Sequence, residues 1–165
     1  MTLNQIEKRM GPKPLIEGLA IGIDDCTKEA YDILLGAKTA IPKASSPAGT
    51  LHLLVSLLKM DKRDPIAVLL DKHGVSLEKV DQEAIKLLPK DKEVFPARFG
   101  EAAREVTKKA VELRDKRALI SPLHLFTALM GMGGFHEIAL KRIGADKDEL
   151  YKEALNLLKI RSYGF

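Results

Sequence analysis

The chain has 165 residues, 45% of them hydrophobic and 30% charged, with one cysteine and a net charge of +4. That length allows one compact domain or two small ones, and the composition excludes a disordered tail, a collagen-like fibre and a disulfide scaffold. No apolar run approaches the roughly 20 residues that span a bilayer, and the N-terminus does not read as a secretory signal, so the expected location is the cytoplasm.

The elements follow in chain order. Residues 1–25 open with Met1-Thr2-Leu3-Asn4 and contain Pro14-Leu15-Ile16-Glu17-Gly18-Leu19-Ala20-Ile21-Gly22-Ile23, apolar but broken by two glycines. This stretch reads as a short extra helix or an extended arm that packs on the core. A helix is expected over 25–40, because Ala30, Ile33, Leu34, Ala37 and Ile41 recur at helical spacing and Asp24 or Asp25 can cap it. The loop Pro42-Lys43-Ala44-Ser45-Ser46-Pro47 ends it. A second helix, 49–60, is apolar nearly all round and should be buried. Asp64-Pro65 announces a third, with proline at the first helical position, and Gly74 stops it. A fourth runs from Ser76 to Leu88.

Residues 89–98 carry two prolines and a charge run and read as a linker. Beyond it the same grammar returns over 99–160. Phe99, Ala103, Val106 and Ala110 open a helix, Ser121-Pro122 start the next, Gly144 ends the third, and Asp146 with Glu149 has capping-box spacing for the fourth. Residues 161–165 form a tail. Thr50-Leu51-His52-Leu53-Leu54-Val55-Ser56-Leu57-Leu58 lies in register with Pro122-Leu123-His124-Leu125-Phe126-Thr127-Ala128-Leu129-Met130. Leu70 and Gly74 match Leu140 and Gly144, and Glu83-Ala84-Ile85 matches Glu153-Ala154-Leu155. The chain therefore contains one unit twice, 26–88 and 99–160. With strand signals nearly absent, the fold class is all-α: eight helices in a pseudo-two-fold tandem of four-helix repeats.

Chemistry is sparse. There is no phosphate-binding glycine loop, and Gly131-Met132-Gly133-Gly134 follows a helix, so it reads as an inter-helix loop. No two of His52, His73, His124 and His136 have the spacing of a helical zinc site, so no metal or other cofactor is expected. His52 and His124 occupy matched apolar positions and read as hydrogen-bonded core histidines. Cys26 falls where Phe99 stands in the second repeat and reads as a small apolar plug rather than a nucleophile. The basic residues of Lys108-Lys109 and Arg114-Asp115-Lys116-Arg117 are interleaved with acids, which favours a solvated face over a nucleic-acid surface. On chemistry alone the chain is a binding module, not an enzyme.

The doubled motif resembles the N-terminal domain of Clp-type AAA+ unfoldases, the Clp repeat domain, over about residues 26–160. The carrying runs are Thr50–Leu58 and Ile120–Leu129, together with the opening Phe99-x-x-x-Ala103-x-x-Val106-x-x-x-Ala110. Its wording is closest to the ClpB branch. Leu51 and Leu123 stand where the ClpC branch usually carries glutamate. A phosphoarginine guanidinium needs a carboxylate partner, so phosphoarginine recognition is not expected. The family's ATPase modules are not part of this chain, which is a stand-alone member or a fragment.

The resemblance implies an apolar groove between the repeats, where unfolded protein segments or an adaptor dock in the service of a Clp ATPase or Clp protease. It implies contacts at Thr27, Thr107, Leu113, Leu119, Leu123 and His124. The rival readings are an accessory subunit or adaptor of a Clp protease complex, and a basic helical nucleic-acid-binding protein. No membrane or nucleic-acid partner is expected, and the chain is expected to be monomeric.

Overall fold

The computed structural model describes residues 14–41, 47–88, 98–115 and 118–162. Most of the expected inter-helix loop at 42–47, nearly all of the 89–98 linker, and residues Lys116 and Arg117 lie outside these. Eight α-helices are present among the described residues: α1 Lys28–Ala37, α2 Thr50–Leu58, α3 Pro65–Lys72, α4 Leu77–Leu87, α5 Glu101–Leu113, α6 Pro122–Met130, α7 Phe135–Ile143 and α8 Lys147–Ser162. Among the described residues extended pairing is confined to isolated bridges. No helix among the described residues is long and apolar enough to cross a membrane.

The local grammar explains most boundaries. The Asp64 carboxylate accepts from the Ile66 N–H at 2.9 Å, and Pro65 follows at a position whose N–H has no helical partner. Ser76 accepts from the Lys79 N–H at 3.3 Å to start α4. Asp146 accepts from the N–H groups of Asp148 and Glu149 to start α8. Gly74 and Gly144 end α3 and α7 with φ of +76° and +96°, where a Cβ would be strained.

The start of α1 differs from the expected 25. Thr27, not Asp24 or Asp25, is the cap: its hydroxyl accepts from the Ala30 N–H at 3.2 Å. The reason lies in the preceding residues. Ile23–Asp25 make a 3₁₀ turn in which the Asp25 carboxylate accepts from the Gly22 N–H, and Cys26 is held extended by pairing with Ile120. Neither segment can join the helix.

That pairing shows how the halves interlock. The Thr27 N–H donates to the Ile120 carbonyl at 2.9 Å and the Ile120 N–H to the Asp25 carbonyl at 2.8 Å. In the second copy of the arrangement, the Ala48 N–H donates to the Arg98 carbonyl at 2.7 Å and the Gly100 N–H to the Ala48 carbonyl at 2.9 Å. Cys26 corresponds to Phe99, and Ala48 to Ile120. Each repeat's entry to its first helix is therefore stitched to the other repeat's entry to its central helix.

The ion pairs obey the same symmetry. Lys72 meets Glu153 at 3.3 Å, and Arg142 meets Glu83 at 3.4 Å, each joining the third helix of one half to the fourth helix of the other. The central helices α2 and α6 pack on each other at the axis. Leu53, Leu54, Val55, Leu125, Phe126 and Leu129 are all essentially inaccessible there. Burying such side chains stabilises by about 1.5–3 kcal/mol apiece.

Residues 14–22 of the N-terminal stretch pack on this core without forming an α-helix; residues 1–13 lie outside the described residues. Leu15 and Gly22 form an antiparallel bridge around a turn at Gly18, whose φ is +84°. Ile16, Leu19 and Ile21 are buried. The Ala20 N–H donates to Thr107 Oγ1 on α5 at 3.1 Å, which ties the turn to the second repeat.

Candidate functional site

The pseudo-two-fold gives the molecule two equivalent edges where helix N-termini from both repeats converge. One is built from the starts of α2, α5 and α7; at the other the starts of α1 and α6 meet through Thr27 and Ile120. At the first lies an open groove of about 700 Å³. Pro47, Leu51, Leu88 and Ala102 line it together with Phe135 and Ile138. Phe135 and Ile138 are 48% and 43% exposed, large apolar side chains left uncovered on one wall. The groove lies between the repeats, since Leu51 and Leu88 come from the first and Phe135 and Ile138 from the second.

Its backbone has an unusual start to each wall. The residues that precede α2, α5 and α7 are Gly49, Gly100 and Gly134, and none supplies a side-chain cap. His52 partly compensates at α2, where its Nδ1 accepts from the Gly49 N–H at 3.2 Å. This leaves the imidazole buried, and burial pushes its pKa down to about 4, so it is neutral near pH 7. It is thus a hydrogen-bonded core histidine. His124 repeats the contact in the second half, accepting from the Ser121 N–H at 3.1 Å.

The six residues named from the resemblance fall elsewhere. Thr27, Leu119 and His124 belong to the second edge, where the Thr27 N–H reaches the carbonyl of Ile120. Leu119 is 51% exposed there. Leu123 is on the same edge but is 2% exposed and part of the core. Thr107 is fully buried and spends its hydroxyl on the Arg104 carbonyl and the Ala20 N–H. Leu113 is half-buried against the core at the end of α5, next to Arg114, which reaches Asp25 at 3.5 Å. None of the six lines the groove. Under the pseudo-two-fold, Thr27, Leu119, Leu123 and His124 are the counterparts of Gly100, Pro47, Leu51 and His52, which do.

Sequence reasoning missed the wall formed by Gly133, Gly134, Phe135 and Ile138. A glycine run before Phe135 is the only local sign of it. His136 was missed too. It is completely buried, its Nε2 donates to the Leu129 carbonyl at 2.7 Å, and burial holds its pKa down at about 4.

Elsewhere the chemistry stays structural. Cys26 is buried, its Sγ lies 3.6 Å from the Gly22 carbonyl, and burial pushes its pKa up to about 11, so it is a protonated thiol and a poor nucleophile. Among the described residues no group of three or more His, Cys, Asp or Glu could hold a metal ion.

No protein-family model matches the chain, and no curated protein is similar to it in sequence. Solved structures are similar. The N-terminal domain of the caseinolytic protease associated chaperone ClpD from Arabidopsis thaliana superposes with a TM-score of 0.68 at 24% identity, covering 85% of this chain and 98% of that domain. The chain has the fold of a Clp N-terminal domain. The Hsp104 N-terminal domain from Candida albicans is similar at a TM-score of 0.64 and 18% identity, over 81% of this chain and 91% of that one. The tandem of two four-helix repeats read from the sequence is thus the fold of Clp N-terminal domains, and the all-α architecture is as expected.

Proposed function

We propose that the chain is a non-catalytic protein-binding module that docks apolar polypeptide segments in the inter-repeat groove. The observation that carries this is the groove itself: about 700 Å³, open, with Phe135 and Ile138 uncovered on one wall. Exposed apolar surface gathered in a concavity marks an interaction site, whereas single scattered apolar residues do not. A groove of this size accepts a few side chains, which fits weak, roughly micromolar contacts of the kind a module sampling unfolded clients needs. The protonated Cys26 and the neutral, internally bonded His52 and His136 supply neither nucleophile nor base at neutral pH.

The Clp context comes from the shared fold. One similar domain belongs to a protease-associated chaperone, and a role for this chain beside a Clp ATPase or protease is the corresponding proposal. The test is a titration against a fluorescent permanently unfolded protein over a range of salt. Saturable binding with little salt dependence, lost in Phe135→Glu, is the expected result. Binding to duplex DNA with a steep salt slope, and none to the unfolded protein, would replace this reading with the nucleic-acid one.

A further inference from the structure

Resting on the groove reading, we infer that Glu83 and Arg142 are positioning residues of the groove: their contact sets the spacing of the two walls that carry Leu88 and Ile138. The helices involved run in opposite senses across the boundary between the repeats. α4 ends at the groove with Leu88, and α7 begins at it with Phe135 and Ile138. The two helices pack on each other. Glu83 stands five residues before Leu88, and Arg142 four residues after Ile138. At about 1.5 Å of rise per residue both lie roughly 6–8 Å behind the rim, so they meet at the same depth. Arg142 Nη1 donates to Glu83 Oε2 at 3.4 Å.

Each of the pair is coupled to a lining residue. Ile138 and Arg142 share one face of α7, since residues four apart are neighbours on a helix. Leu88 is tied to α4 beside Glu83, because its N–H donates to the Ala84 carbonyl at 3.0 Å. The Glu83 side chain is 13% exposed and the Arg142 side chain 50% exposed. A carboxylate so far out of water needs a partner, and losing it is costly. Lys86 also reaches Glu83, at 3.6 Å, but from the same helix, so it spans no boundary.

The pseudo-two-fold supplies the comparison. Glu153 is the counterpart of Glu83, Lys72 of Arg142, and His73 of Ile143. Glu153 meets Lys72 at 3.3 Å and His73 at 3.1 Å, both from the other repeat. Among the described residues Glu83 meets only Arg142 from the other repeat. Ile143 is half-buried against the core and has no polar side-chain atom to offer where His73 stands in the mirror seam. The seam behind the groove therefore rests on Arg142, whereas its mirror image between α3 and α8 is held by a pair of side chains.

Neither Glu83 nor Arg142 is among the residues that line the groove. They act through Leu88 and Ile138, and what they set is the width offered to an apolar side chain. Walls fixed before binding have less freedom to lose on binding, which raises affinity.

The experiment uses the full chain and a fluorescein-labelled permanently unfolded protein, read by anisotropy, with urea unfolding of every variant alongside. Arg142→Gln removes the cation at a half-exposed site and should weaken binding about three- to tenfold. Arg142→Lys keeps the charge and should bind within about twofold of the parent. Glu83→Met removes the pairing without stranding a buried charge, so it should lose affinity as Arg142→Gln does while unfolding at no lower urea concentration. Glu153→Gln breaks the mirror seam; it should unfold at least as easily as Arg142→Gln and bind as the parent does. If Phe135→Glu abolishes binding but Arg142→Gln and Glu83→Met bind as the parent does, the inference is overturned and the groove reading stands. Equal losses of affinity in Glu153→Gln and Arg142→Gln would make the effect a general loosening of the fold, and Arg142→Lys binding as weakly as Arg142→Gln would remove the charge from the account; either overturns the inference. If Phe135→Glu binds normally, the groove reading itself falls and the inference falls with it.

Discussion

Acid should destabilise this fold well above the pH at which carboxylates titrate, through two buried imidazoles. His52 and His136 have ordinary values of 6.5 lowered to about 4 by burial. The fold favours their neutral forms, so the unfolded chain binds more protons as pH falls below 6.5, and stability declines until about pH 4. Between pH 7.5 and pH 5 each group spends about 1.5 pH units in that window, at about 1.4 kcal/mol per unit. The loss is about 2 kcal/mol per histidine and about 4 kcal/mol for the pair. The Asp61 and Glu153 carboxylates are held below their ordinary values, Asp61 by the Arg63 backbone N–H and side chain and Glu153 by the His73 and Lys72 contacts, so their losses come at lower pH. The assay is urea unfolding at both pH values for the parent, His52→Asn and His136→Gln. Asn Oδ1 can take the place of His52 Nδ1 on the Gly49 N–H, and Gln Nε2 the place of His136 Nε2 on the Leu129 carbonyl. Each variant should lose about half of the parent's pH dependence. A parent whose stability is flat from pH 7.5 to 5, or variants with its full slope, would refute the assignment.

Other consequences are as direct. Cys26, with its pKa near 11 and its side chain buried, should resist iodoacetamide at pH 7.5 for hours in the folded protein and react within minutes in urea. Leu123→Glu puts a charge at a 2% exposed core position and should destabilise by several kcal/mol or prevent folding, read from a thermal melt; it reports on the core and not on binding. Thr107→Val removes the acceptor of the Ala20 N–H and should raise hydrogen exchange at Ala20 with little change elsewhere. Gly144→Ala, at φ of +96°, should cost about 1 kcal/mol in urea unfolding.

The repeat was legible because its signals are local. Apolar spacing, Asp64-Pro65, Ser76, Gly74 and Gly144 each act within one turn of the chain, and the same marks recur at the same intervals in both halves. The beginning of α1 was not legible, because it is fixed by Ile120, which lies 94 positions from Cys26 and whose carbonyl takes the Thr27 N–H. His136 was missed for a similar reason: nothing beside it in sequence says that it turns back onto Leu129.

An apolar groove between the repeats was legible; which residues line the one described was not. A doubled motif makes two edges with nearly the same residues, and the Leu-His-Leu runs mark both. What distinguishes them is the glycines at 49, 100 and 134 and the uncovered Phe135 and Ile138. A glycine before a helix is an ordinary helix start and does not by itself mark a groove. Its meaning appears only when three such starts are brought to one cavity.

The central claim is most directly tested by fluorescence anisotropy of a labelled unfolded protein against three chains: the parent, Phe135→Glu and Leu119→Glu. Both side chains are about half exposed, so either charge can be carried without loss of the core. The account predicts saturable binding by the parent and by Leu119→Glu, and at least a tenfold loss in Phe135→Glu. Loss in Leu119→Glu with full binding by Phe135→Glu would contradict it and move the site to the other edge.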